Sequence, residues 1–167
     1  MDEAEALELL SNHFLYSETN DGFIDKIANT ELFISSQSEG IKVLEAMRKV
    51  DRKDFLQDKE ISILNYHAHL ASFIKLKFPD RRTISQKQIG YVDTPLPIGN
   101  GQTCSQPSMV AYMAKVLELE EEMNVLEVGT GCGYSAAITS RIIGEKGHLV
   151  TVEYNQELVC TAAENLE

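Results

Sequence analysis

The sequence predicts an α/β fold in which a helical N-terminal region precedes a parallel strand-helix-strand unit. Near the C-terminus, an apolar run from Asn124 to Val128 leads into closely spaced glycines, a helical pattern and a second apolar run that ends at Glu153. In the first third of the chain, apolar side chains instead recur at helical spacing between turn residues. These patterns divide the chain into three parts, residues 1–58, 59–90 and 91–167.

Composition and charge exclude several classes of protein. The 167 residues are 43% hydrophobic and 25% charged, which is typical of one globular domain with a moderate core. Because 15 basic residues stand against 26 acidic ones, the net charge argues against general binding to nucleic acid or to an anionic membrane. The acidic start "MDEAEALELL" is unlike a signal peptide, and no apolar run is long enough to span a bilayer.

The cysteines indicate a reducing compartment. Cys104, Cys132 and Cys160 are odd in number and widely spaced, without a C-x-x-C pair, so they support neither a disulfide framework nor a zinc site. We therefore expect reduced thiols, no bound metal and a cytoplasmic location.

Residues 1–58 predict three helices with charged outer faces. The second helix is expected to begin at Asn20 or Asp21, after the turn sequence "TNDG". The apolar positions of the three helices are Ala6, Leu7, Leu10 and Phe14; Phe23, Ile24 and Ile27; and Ile41, Val43, Leu44 and Met47.

Residues 59–90 predict one helix, "ISILNYHAHLASFIKLKF", followed by a polar and basic loop, "PDRRTISQKQ". His67 and His69 would share a face only on a strand, so a metal site here needs a strand and a third ligand. A cluster of lysines and arginines could contact an acidic or nucleic-acid partner, but a solvated loop is the favoured interpretation.

The stretch "LPIGNGQTCSQPS", from Leu96 to Ser108, predicts a shaped loop, because glycines permit unusual backbone angles while prolines stiffen the chain around them. It leads into a helix with Ser105 as the expected N-cap and Pro107 in the first turn. The expected apolar face of this helix consists of Met109, Val110, Met113, Val116 and Leu117.

The glycine-rich turn "GTGCG" between the C-terminal strand and helix predicts a ligand site. Glycines allow close backbone approach, and the following helix offers free N–H groups and a positive dipole end. An acid that ends the second strand, Glu153, can accept hydrogen bonds from a ribose diol. The G-x-G-x-G spacing differs from the dinucleotide fingerprint, and Glu127 in the first strand favours a cofactor with a cationic amino-acid end and no pyrophosphate.

Two longer segments resemble known signatures. "LEVGTGCGY" resembles motif I of class I S-adenosylmethionine-dependent methyltransferases, and "DTPLPIGNGQTCSQPSMVAYM" resembles the substrate-loop signature of protein-L-isoaspartate O-methyltransferases. The upstream "AMRKVDRKDF" is also similar to an element of that family's helical N-terminal region. The resemblance covers residues 20–58 and 91–167, and it leaves residues 59–90 as an expected insertion.

The resemblance implies a Rossmann-like class I methyltransferase sheet, S-adenosylmethionine as cofactor, S-adenosylhomocysteine as product and isoaspartyl proteins and peptides as substrates. It implies that Thr103 and Ser105 are the catalytic positions, where they orient the substrate carboxylate. The implied cofactor residues are Glu127, Gly129, Thr130, Gly131, Cys132, Gly133, Glu153 and Tyr154. The oligomeric state stays open.

Three departures from the family pattern leave alternatives open. Cys104 stands where the family usually has Ile, Cys132 where Ser is common, and the chain stops at Glu167 while family members continue through further strands. We therefore expect an incomplete sheet, exposed apolar surface and low activity for these residues alone. The alternatives are a methyltransferase remnant that acts as a binding module and a methyltransferase of small molecules.

Overall fold

A computed structural model describes residues 2–34 and 38–167, which form helices around three small sheets. The helices of these residues are α1 Glu3–His13, α2 Asn20–Ala28, α3 Glu31–Ile34, α4 Ser38–Arg48, α5 Ala68–Lys77, α6 Pro107–Val116, α7 Tyr134–Ile143 and α8 Gln156–Leu166. The strands are β1 Glu60–Ser62, β2 Thr83–Ser85, β3 Leu96–Gly99, β4 Gln102–Cys104, β5 Asn124–Val128 and β6 His148–Val152. None of these helices is long and apolar enough to cross a membrane.

The N-terminal region is helical, as predicted. Thr19 caps α2 by accepting a hydrogen bond from the Gly22 N–H at 3.2 Å, which explains why the helix begins at Asn20. In α4, Val43 and Met47 are buried, but Ile41 is 55% exposed. The prediction that Ile41 lies on the buried face is wrong, because two helical positions separate side chains by about 200° around the axis.

Residues 59–90 differ from the predicted single helix and loop. Helix α5 begins only at Ala68, where the His67 side chain caps it by accepting from the Leu70 N–H at 3.3 Å. Strands β1 and β2 flank this helix as an antiparallel pair, with Ile61 opposite Ile84. Three-residue strands are too short to show a periodic signal, so the sequence pattern does not reveal them. That residues 59–90 form an insertion stays a prediction.

The stretch predicted as a shaped loop is a β-hairpin. Strands β3 and β4 are antiparallel, with Leu96 opposite Cys104 and an irregularity between Pro97 and Gly99. The connecting residues Gly99, Asn100 and Gly101 all have positive φ angles of 97°, 52° and 70°. Only glycine and a few polar residues adopt such angles without strain, which explains the composition of this stretch.

Helix α6 follows the hairpin, but its packing differs from the prediction. Its buried positions include Val110, Ala111 and Ala114. Four of the five residues expected on its buried face are exposed instead, namely Met109, Met113, Val116 and Leu117. Helix α4 packs against α6, and the buried side of α6 carries Ala111 and Ala114 together with Val110.

The C-terminal strand-helix-strand unit confirms the predicted α/β class. Strands β5 and β6 are parallel, and the register runs from Asn124 opposite His148 to Val128 opposite Val152. Val125 packs against the main hydrophobic core. The other face of this pair carries exposed apolar side chains, as expected for an incomplete sheet: Leu126, Val128, Val150 and Val152.

Arg52 connects the helical region to the hairpin. Its side chain is fully buried and donates hydrogen bonds to the carbonyls of Gly90, Val92 and Thr94 at 3.1, 2.8 and 2.8 Å. A further bond at 3.2 Å reaches the carbonyl of Ser105, directly after β4. This guanidinium therefore fixes the backbone on both sides of the hairpin.

Candidate functional site

In the glycine loop between β5 and α7, Gly129 is exposed, Gly131 is half-buried and Gly133 is buried. Gly129, Gly131 and Gly133 have φ angles of 95°, 57° and 90°, which disfavour any residue with a side chain. A Cβ added at Gly129 would meet no protein atom within 4 Å, whereas one at Gly131 would lie 3.3 Å from the Ile98 side chain. The space next to Gly129 is therefore open to a ligand.

Helix α7 begins directly after this loop. Its N-cap is Gly133, whose lack of a side chain leaves the first turn without side-chain capping. The first N–H groups of a helix have no partner within the helix, and the macrodipole places partial positive charge there. The loop and the start of the helix together favour a ligand that brings a hydrogen-bond acceptor or a negative charge to these N–H groups.

Glu153 follows β6 and lies against the glycine loop. Its carboxylate accepts hydrogen bonds from the N–H groups of Gly131 and Asn155, both at 2.9 Å. The bonds from Asn155 and Gly131 lower the pKa of this carboxyl below its usual value. A carboxylate has about four acceptor positions, so an ionised Glu153 keeps acceptor capacity for a ligand.

Glu127 has a polar network that the sequence did not reveal. The Thr151 hydroxyl donates to the Glu127 carboxylate at 2.7 Å and also contacts the Thr130 hydroxyl at 2.7 Å. Thr151 stands directly opposite Glu127 in the parallel register of β5 and β6. Pairing the two predicted strands by register would have identified this residue. Tyr154, which the resemblance also implies as a cofactor residue, is fully exposed.

The hairpin and the glycine loop meet at a small cavity of about 60 Å³. Thr103 and Ser105 line it from the hairpin side, where both are exposed. Its other lining residues include Cys104, Gly129, Thr130, Gly131, Cys132 and Ser135. The fold thus brings the two candidate catalytic positions together with the loop expected to hold a cofactor.

Ser105 is not the N-cap of α6, contrary to the prediction. The N-cap is Gln106, and its own side chain makes no capping bond. Asp93 caps the helix from outside by accepting hydrogen bonds from the Ser108 N–H at 2.8 Å and the Gln106 side chain at 2.9 Å. The Ser105 hydroxyl is therefore not needed for helix capping.

A larger depression of about 490 Å³ lies away from this site. It is formed beside the C-terminal end of α7, and its lining includes Lys49, Asp54, Arg141 and Glu145. It contains none of the predicted site residues, so size alone does not identify the functional region.

Comparison with known proteins agrees with the sequence signatures. The sequence model of the protein-L-isoaspartate(D-aspartate) O-methyltransferase family matches residues 68–167. The chain belongs to this family. It is 44% identical over 117 residues to protein-L-isoaspartate O-methyltransferase 2 of Archaeoglobus fulgidus, covering 70% of this chain and 42% of that relative. It is 38% identical over 137 residues to the Fervidobacterium nodosum enzyme, covering 81% of this chain and 56% of that relative.

Solved structures show the same fold. A protein-L-isoaspartate O-methyltransferase structure from Plasmodium falciparum, in complex with S-adenosyl-L-homocysteine, superimposes with a TM-score of 0.64 at 20% identity. The match covers 90% of this chain and 56% of that one. The described residues of the present chain therefore have the fold of the matched part of a class I methyltransferase. The chain spans less than half the length of the Archaeoglobus relative.

Proposed function

We propose that these residues form part of a methyltransferase that transfers a methyl group from S-adenosylmethionine to the α-carboxylate of L-isoaspartyl residues in proteins and peptides. The observation that carries this proposal is the shared cavity, in which Thr103 and Ser105 stand opposite Gly129 and Gly131. Such transfer would begin the repair of damaged aspartyl and asparaginyl residues.

The glycine loop and its neighbours fit the cofactor. Gly129 leaves open space that a Cβ would enter, and Glu153 offers an ionised acceptor suited to the ribose hydroxyls. Glu127 supplies a second carboxylate, held by Thr151, for the cationic amino-acid end. When bound, S-adenosylmethionine supplies an electrophilic methyl group on its sulfonium, and S-adenosylhomocysteine is the product.

The hairpin fits an acceptor that needs alignment rather than activation. A carboxylate with a pKa near 4 is already ionised at neutral pH, so no general base is required. The Thr103 and Ser105 hydroxyls are exposed at the cavity and can donate hydrogen bonds to a carboxylate oxygen. Fixing the orientation of a reacting group can account for much of a rate enhancement. We assign these two residues the role of orienting the acceptor.

Net charge and the free cysteines bear on the partners and the location of the protein. The acceptor is a protein or peptide, and the net charge of -11 gives no support to a nucleic-acid or membrane partner. The cysteines Cys104, Cys132 and Cys160 are all free, which supports a reducing, cytoplasmic location.

Peptide binding tests the acceptor assignment. With saturating S-adenosylhomocysteine, the protein should bind a fluorescent isoaspartyl peptide more tightly than an aspartyl peptide of the same sequence. Thr103→Val and Ser105→Ala should weaken this preference, whereas Ser72→Ala, an exposed control on α5, should not. Equal affinity for the two peptides would contradict an isoaspartyl substrate and leave a methyltransferase of small molecules. Failure to bind S-adenosylhomocysteine would leave a binding module without a working cofactor site.

A further inference from the structure

Two cysteines lie where the hairpin meets the glycine loop. Cys104 ends β4, Cys132 lies between Gly131 and Gly133, and both line the candidate cavity. Each is a free thiol with only 3% of its surface exposed. The two side chains are near enough for each to shift the pKa of the other. The two cysteine positions at which this sequence departs from the family signature therefore line the same small cavity.

The surroundings make the two thiols chemically different. The Cys104 sulfur lies 3.9 Å from the Ser105 carbonyl, which also accepts from the Arg52 guanidinium at 3.2 Å. The contact with Cys132 and the positive charge of Arg52 lower the pKa of the Cys104 thiol. The contact with Cys104 and burial raise the pKa of Cys132. Of the two, Cys104 is therefore the better nucleophile, and Cys132 is the thiol that would complete a disulfide with it.

We propose that Cys104 and Cys132 are a redox pair that closes into a reversible disulfide between the hairpin and the glycine loop. The oxidant is a small peroxide such as hydrogen peroxide. The Cys104 thiolate attacks one peroxide oxygen, which gives a sulfenic acid and releases hydroxide. The Cys132 sulfur then attacks the Cys104 sulfur and water leaves. In total, two thiols lose two protons and two electrons, and one peroxide takes them up to become two waters.

The cavity admits such an oxidant. Its volume of about 60 Å³ exceeds the space that one water molecule needs, so it can hold a molecule of the size of hydrogen peroxide beside the two lining cysteines. Bulky disulfides are too large for this route. The third cysteine, Cys160, is exposed on α8 and does not line this cavity.

Closure would change the candidate site. A disulfide holds its sulfurs about 2.05 Å apart, well inside any non-bonded contact, so closure draws the glycine loop and β4 toward each other. The residues that move with the loop are the neighbours of Cys132, Gly131 and Gly133. We expect the oxidised protein to bind S-adenosylhomocysteine more weakly. This consequence rests on the proposed function, whereas the formation of the disulfide does not.

Mass spectrometry of the Cys160→Ser chain tests the pair directly, because the substitution removes the exposed competing thiol. After treatment with hydrogen peroxide, the intact chain should lose two hydrogens in mass. Peptide mapping without reductant should show Cys104 joined to Cys132, and dithiothreitol should restore both thiols. Cys104→Ser and Cys132→Ser in the same background should each abolish the cross-link.

Three results would overturn the redox pair: gain of oxygen without loss of hydrogen, cross-links only between separate chains, or no change in mass. Calorimetry with S-adenosylhomocysteine on the reduced and oxidised chains then tests the consequence. Lower affinity that dithiothreitol reverses supports a redox-controlled site, and equal affinity in both forms contradicts it. If the reduced chain binds no S-adenosylhomocysteine, the proposed function fails while the mass measurement still decides the disulfide.

Discussion

Glu153 is the single residue on which the candidate cofactor site depends most. Two backbone N–H groups hold its carboxylate against the glycine loop, at 2.9 Å each. The proposed role as a ribose acceptor uses the ionised form, which offers the most acceptor positions. The bonds from the Asn155 and Gly131 N–H groups favour that form and lower the pKa of this carboxyl.

The affinity for S-adenosylhomocysteine should be insensitive to Glu153 protonation from pH 8 down to about 5, the region above ordinary carboxyl pKa values. Because the pKa of Glu153 is lowered, its contribution is present above that pKa and is lost only as the pH falls through it. Isothermal titration calorimetry across this range is the measurement. A loss of affinity near pH 6 that disappears in Glu153→Gln would show that the carboxyl is not stabilised as the structure indicates.

Helix α6 shows how an element can depend on a distant residue. Its N-terminus is capped by Asp93, which is 15 positions before Ser108 in the chain. Both carboxylate oxygens are used, one by the Ser108 N–H and one by the Gln106 side chain. Asp93 also donates its backbone N–H to the Phe14 carbonyl at 2.7 Å, so the cap is anchored to the end of α1.

Asp93→Ala should lower the free energy of unfolding by about 1 to 2 kcal/mol, the range for loss of a helix cap. Asp93→Asn should cost less, because its amide oxygen can still accept from Ser108. Urea denaturation of both variants measures this, with Ser105→Ala as the control that should leave stability unchanged. If Ser105→Ala lost more unfolding free energy than Asp93→Ala, Ser105 rather than Asp93 would be the cap of the helix.

Sequence patterns identify some elements and miss others for physical reasons. The β5-α7-β6 unit is predictable because the apolar period changes sharply on either side of the glycine loop. Strands β1 and β2 contain three residues each, which is too few for a period to appear. The Asp93 cap is hidden because it depends on tertiary proximity, and the usual N-cap position, filled by Ser105 in the prediction, gives a misleading local signal.

At the scale of the whole molecule, Arg52 joins parts of the chain that are far apart in sequence. Its four hydrogen bonds reach carbonyls from Gly90 to Ser105, so one side chain satisfies backbone that would otherwise be buried without donors. The same charge stands beside Cys104 at the candidate cavity. The N-terminal region thus supports the site without contributing to the lining of the small cavity.

Replacement of the Arg52 guanidinium should destabilise the protein strongly. Arg52→Met should lower the free energy of unfolding by about 3 kcal/mol or more, because several buried carbonyls lose their donors. Arg48→Met is the matched control: Arg48 forms more exposed ion pairs with Asp21 and Asp25 and should lose at most about 1 kcal/mol. Urea denaturation followed by circular dichroism measures both. Equal losses would show that the buried network adds nothing beyond an exposed ion pair.

The sequence predicts several residues that the fold gathers at the candidate site, but it does not predict their geometry. Gly129, Gly131 and Glu153 carry strong local signals, since glycine spacing and an acid at a strand end are visible in one dimension. The proximity of Cys104 to Cys132 and the support from Arg52 appear only when the hairpin folds onto the loop. These features depend on how separate segments pack together, so no periodic pattern in the sequence indicates them.

Calorimetric titration of this protein with S-adenosylhomocysteine tests the central claim most directly. We predict saturable binding at one site per chain. Glu153→Gln should weaken it by about 1.5 to 3 kcal/mol, the range for a hydrogen bond to a charged group. Glu157→Gln, which removes a nearby exposed carboxylate that contacts Asn100, should leave the affinity unchanged. Absence of binding, or equal affinity in the Glu153→Gln and unaltered proteins, would contradict a cofactor site at the glycine loop.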